Sequence, residues 1–100
     1  MSIGAFDQNL AAITGADGKQ KITGMTGATA LTVPPGATHA LIQAESQNVR
    51  WWPAADPTSS EGHLLIVGTF LLYDYDLTAI RFIEAGSGAI LQVSYFIRIQ

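Results

Sequence analysis

There is no cysteine in these 100 residues, which removes a disulfide framework, a thiolate metal centre and a cysteine nucleophile at once. Charge is scarce too. Only 13% of the residues are charged, against the ~25% usual for soluble domains, and the five cations, Lys19, Lys21, Arg50, Arg81 and Arg98, are scattered along the chain. Neutralising phosphates takes a basic stripe, so nucleic acid is not an expected partner. No apolar run approaches the ~20 residues that cross a bilayer, and the opening Met-Ser-Ile-Gly-Ala-Phe-Asp has no basic segment of signal-peptide type. The expectation is a soluble protein made in the cytoplasm, with no membrane partner.

Catalytic constellations are also missing. No serine stands in a Gly-x-Ser-x-Gly elbow. His39 and His63, with Glu61 near the second, are too few for a converging metal site, and strand or loop histidines more often serve as structural or solvent-facing groups. Asp74 and Asp76 are two apart and would share a face in an extended chain, as calcium or glycosidase chemistry requires. A turn wants the same residues, because aspartate hydrogen-bonds its own backbone there. No enzyme activity and no cofactor are expected.

What remains is apolar and β-forming. Hydrophobic residues make up 48% of the chain, and a single domain of this size buries roughly 60–70% of its unfolded surface, which leaves apolar surface over for a partner. The last third organises the rest. Runs at 78–85 and 89–99 flank Gly86-Ser87-Gly88, and their β-branched and aromatic content with a positive-φ loop predicts a β-hairpin. In its second strand Leu91, Val93, Tyr95 and Ile97 share one face, and Gln92, Ser94 and Arg98 the other.

Residues 1–27 differ. They hold Gly4, Gly15, Gly18, Gly24 and Gly27 and too few apolar side chains for a continuous face, so they read as an extended arm with a short strand near residues 21–23. Phe6, Leu10 and Ile13 also fit helical spacing over 7–13. The arm either lies on its own barrel or reaches a neighbour, because ordering it costs ~1–2 kcal/mol per residue unless it docks. Residues 28–100 form the sandwich domain. A strand around Thr29, Leu31 and Val33 stops at Pro34-Pro35-Gly36. The next, 38–46, is half-buried, with Ala40, Ile42 and Ala44 inward and His39, Leu41, Gln43 and Glu45 outward. Val49-Arg50-Trp51-Trp52 places Val49 and Trp51 in the core and Trp52 outside, where loop cover, a protein contact or a carbohydrate would account for it. After the main loop, 53–62, come apolar runs 64–67 and 70–73, parted by Gly68-Thr69 as a tight turn or a bulge. The whole predicts an all-β chain: one small jelly-roll-like β-sandwich or barrel with an extended N-terminal arm.

Several stretches carry a resemblance. Val33-Pro34-Pro35-Gly36-Ala37-Thr38-His39-Ala40-Leu41-Ile42-Gln43-Ala44-Glu45, Val49-Arg50-Trp51, Asp56-Pro57-Thr58 with Gly62, Leu77 with Ile80-Arg81-Phe82-Ile83, and Gly88-Ala89 with Leu91, Val93 and Tyr95 resemble small virion proteins of tailed bacteriophages. The likeness spans residues 28–97 and consists of sheet and turn residues rather than a catalytic motif. It implies a capsid cement or decoration protein on the virion surface, non-enzymatic, with the major capsid protein and neighbouring copies of itself as partners. A tail or head-to-tail component, or a carbohydrate-binding module of a receptor-binding structure, is the alternative. Departures from the pattern at Trp52-Pro53 and Phe70-Leu71-Leu72-Tyr73 suit an added contact surface. The expected interface residues are Ile3, Phe6, Leu10 and Ile13 of the arm with Trp52, Phe70 and Leu72 of the domain.

Overall fold

Strand β9, Ile90–Arg98, alternates apolar and polar residues over nine positions, and the first sheet is assembled on it. Leu91, Val93 and Tyr95 point into the core and are buried, while Gln92 and Ser94 face solvent. The computed structural model describes residues 9–99. Along one edge of β9 run β1, Leu10–Ala12, and β2, Lys19–Ile22; along the other runs β4, His39–Glu45, followed by β7, Phe70–Tyr73. The second sheet has the order β3, Thr29–Ala30; β8, Arg81–Glu84; β5, Val49–Trp52; β6, His63–Leu65. Every pairing is antiparallel, and the result is an all-β sandwich. Between the sheets lie Ile42, Val49, Ile80, Phe82, Leu91 and Tyr95, all essentially inaccessible, with Met25 from the arm among them.

The pairings nest. β5 pairs β6, β4 pairs β7, β3 pairs β8, and β2 pairs β9, each pair enclosing the one before it in sequence. The midpoint of Leu10 and Arg98 is residue 54 and that of Val49 and Leu65 is residue 57, so the fold is centred on the 53–62 loop. Among the described residues only β5 and β6 are consecutive strands that pair with each other; the connections after β2, β3, β4, β6, β7 and β8 carry the chain from one sheet to the other.

That arrangement overturns the expected terminal hairpin. β8 and β9 lie in opposite sheets, and residues 85–89 form an arch between them, with the Ala85 amide donating to the Asn48 carbonyl of another connection (2.9 Å). Both strands have one apolar face, and those faces look at each other across the core instead of lying side by side. β4 also differs from expectation. Its outward residues His39 and Leu41 are as buried as its inward ones, because β4 is a central strand flanked by Phe96 and Ser94 of β9 and Leu72 of β7. Ile97, read as a core residue, is 38% exposed near the end of β9.

The described part of the arm lies on its own sandwich. β2 pairs with residues 91–94 of β9, and Ile22 and Met25 are buried in the same core as the rest. Between β1 and β2 the chain tightens into a 3-10 turn, Ala16–Gly18, where Gly18 passes so close to the Ile13 carbonyl that a Cβ has no room. No α-helix occurs among the described residues, and the helical reading of 7–13 gives way to a strand over its described part.

Candidate functional site

One side of the sandwich carries most of the exposed apolar surface. Leu64, Ile66, Val67, Phe70, Leu72 and Tyr75 are 37–78% exposed, and they occupy the stretch from β6 through β7 to the loop after it. β6 is the edge of the second sheet and β7 the edge of the first, and the turn at 66–69 joins them. Thr69 donates its amide to the Ile66 carbonyl (3.0 Å), with Gly68 at φ +87° in the third position, where a type II turn demands positive φ. The choice between turn and bulge thus resolves as a turn. It is pinned from behind: Val67 donates to Asn48 Oδ1 (2.8 Å) and Gly68 to the Ala44 carbonyl (2.8 Å), which holds Ile66 and Val67 out at the corner.

Five rings run in contact across this side. Trp52 and His63 lie 5.0 Å apart, His63 and Trp51 4.9 Å, Trp51 and Tyr73 5.7 Å, and Tyr73 and Tyr75 6.1 Å, three of the four contacts edge-on. Trp51 belongs to the second sheet and Tyr73 to the first, so their contact closes the open side between the sheets. Trp51 is half-buried against the core and Trp52 is also half-buried, so the inside and outside expected for the two tryptophans are less distinct than strand alternation implies. The Tyr73 hydroxyl is held above its ordinary range, first by burial and then by the negative charges of Asp76, Tyr75 and Asp74.

The expected interface residues separate into groups. Phe70 and Leu72 sit on the outward face of β7, exposed by 53% and 37%, whereas Trp52 lies in the second sheet, half-buried against His63 of the neighbouring strand. Leu10 lies in β1 on the opposite edge of the first sheet, and Ile13 packs on the core with its amide on the Tyr95 carbonyl (3.0 Å). Ile3 and Phe6 lie outside the described residues. Leu64, Ile66 and Val67 are not among the expected interface residues. The signal available was that residues 64–73 contain no charge while each of the two strands they form is four residues or shorter, too short to bury both faces.

The opposite side is polar. Exposed Lys19 and Lys21 line β2, and Gln20 accepts from the Tyr95 hydroxyl of its own sheet (2.7 Å) while it ties the edge to the segment that follows β3, accepting from the Thr32 amide (3.0 Å) and donating to Thr32 Oγ1 (3.1 Å). Burial pushes the Tyr95 hydroxyl up to about 12. A shallow hollow of about 360 Å³ opens beside Lys19 and Gln20.

The residues weighed for chemistry are placed apart. His39 is buried on β4, where Arg98 Nη2 approaches its Nε2 (3.3 Å) and Thr38 Oγ1 its Nδ1 (2.8 Å). A guanidinium only donates, so Nε2 accepts and Nδ1 donates to the threonine. His63 lies in the other sheet between the tryptophans. Asp76 accepts from the Thr78 amide (3.0 Å) and hydroxyl, and these bonds hold its carboxyl below the usual range: it is a turn residue. Among the described residues no group of three or more histidines and carboxylates converges on a metal-sized space. Comparison with known proteins finds no family model, no curated protein and no solved structure that matches the chain.

Proposed function

We propose that the protein is a non-enzymatic structural component of a tailed-bacteriophage virion, a capsid cement or decoration protein that binds and braces neighbouring major capsid proteins. The observation that carries this reading is the exposed apolar side chains of Leu64, Ile66, Val67, Phe70, Leu72 and Tyr75, gathered at one edge of the sandwich beside aromatic rings that could anchor a partner. The sequence resemblance over residues 28–97 points the same way. Supporting a jelly roll in particular is the nested order, β2-β9-β4-β7 over β3-β8-β5-β6, which is that of an eight-stranded rolled hairpin.

Bracing works by number. Each copy adds a modest contact, and a shell holds the next contact at high effective concentration, so weak interfaces sum to a strong brace. Binding assays with capsids stripped of accessory proteins test the reading. Wild-type protein should co-sediment with them, and Phe70→Asp with Leu72→Asp should not, while keeping its circular dichroism spectrum. Wild-type protein that ignores capsids refutes the cement role, and gold-labelled antibody found only at the tail moves the protein there.

A further inference from the structure

Sheet edges are templates for strand pairing, and folded proteins discourage it with lysine, proline or very short strands. Three of the open edges here carry such a device: β2 has Lys19 and Lys21 and continues into β1 of three residues, β3 has two residues, and β6 has three. β7 is the exception. Phe70-Leu71-Leu72-Tyr73 has no charge, proline or glycine, and no strand lies beyond it among the described residues.

We infer that β7 pairs with β7 of a second copy about a two-fold axis, joining the two first sheets into one continuous antiparallel sheet. A partner strand must be extended, uncharged on its outward face and antiparallel, and a second β7 meets all three conditions, whereas β2 would bring lysines against Phe70 and Leu72. Phe70 and Leu72 stand 53% and 37% exposed on the outward face of the strand, and pairing with an equally uncharged copy covers both while satisfying the free edge.

Register follows from the faces. Outward residues must stay outward across the axis, so residues of like parity stand opposite each other. With Leu71 on the axis, Phe70 faces Leu72 of the second copy and Leu72 faces Phe70. With Leu72 on the axis, Phe70 would face Asp74. The first register pairs apolar with apolar and leaves the Asp74 and Asp76 carboxylates at opposite ends of the joint. The inference does not depend on the virion reading.

Sedimentation velocity over a wide concentration range, on the full chain, is the first test. The wild type should reach twice the 10.6 kDa chain mass. Leu72→Lys and Phe70→Lys should each raise the dissociation constant at least about tenfold while leaving the melting curve of dilute protein unchanged. The cysteine-free background then permits a register test, since opposed residues on paired strands lie within disulfide reach. Phe70→Cys and Leu72→Cys proteins, mixed and oxidised, should form a linked heterodimer, and neither should link to itself. A wild type that stays at 10.6 kDa at every concentration overturns the proposal, as does a dimer that tolerates both lysines. Self-linking of either cysteine protein overturns the register. Monomers that still coat capsids would retain the cement role and remove this joint, and dimers that ignore capsids would do the reverse.

Discussion

The two sides of the sandwich close the same kind of gap by different chemistry. On the β1–β2–β3 side a glutamine, Gln20, ties β2 by two hydrogen bonds to Thr32, just beyond β3 of the other sheet, and accepts a third from Tyr95 of its own sheet, with lysines turned to water. On the β6–β7 side two aromatic rings, Trp51 and Tyr73, do the bridging, and the surface beyond them is apolar. A polar closure satisfies its own donors and acceptors and is complete within one chain. An apolar closure leaves surface that gains free energy when covered. The first side is complete within the chain, and the second closes the fold while leaving apolar surface uncovered.

The comparison can be broken most sharply at Met25. It comes from the arm and is fully buried behind β2, so Met25→Ala should cost about 3 kcal/mol in denaturant unfolding, within the ~2–5 kcal/mol of core truncations. A loss below about 1 kcal/mol would mean that the arm is dispensable to the fold.

Trp51→Ala removes the bridge on the other side. Because Trp51 is half-buried, the expected loss is about 2 kcal/mol, under the ~3–5 kcal/mol of a fully buried aromatic. An unchanged melt would show that the ring series does not hold the fold together.

Tyr95→Phe tests the polar bridge and should cost about 1 kcal/mol at neutral pH, the usual net worth of one hydrogen bond. It has a pH signature as well. The folded protein holds the Tyr95 proton up to about 12, whereas the unfolded chain releases it near 10.0, so this contribution is complete below pH 10 and is lost as pH rises toward 12. Thermal melts between those limits should fall less steeply for Tyr95→Phe than for the wild type.

Phe70→Ser should have the smallest effect on the monomer, within about 0.5 kcal/mol, because the side chain is more than half exposed. Its effect should appear in self-association or capsid binding. A large loss of monomer stability would place Phe70 in the fold and weaken the contrast between the sides.

The local features were legible in the chain itself. Alternation assigned Ala40, Ile42 and Ala44 of β4 and Leu91, Val93 and Tyr95 of β9 inward, and Gly36 and Gly68 marked turns, because strand faces and turns depend on side chains two to four residues apart, although the strand expected through Val33 ends already at Ala30. For Asp76 the choice between chemistry and turn also resolved locally, through the bonds it accepts from Thr78. Partnership was another matter. Gly86-Ser87-Gly88 serves equally in a hairpin within one sheet and in an arch between two, and only the packing of Phe82 against the face of β9 separates them. Likewise Leu64-Leu65-Ile66-Val67 reads as a uniform apolar strand, yet Leu65 alone is buried. Which of the four faces the core is set by the pairing of Val49 with Leu65 and by the anchoring of the 66–69 turn on Asn48 and Ala44, contacts about twenty residues distant that no local pattern encodes.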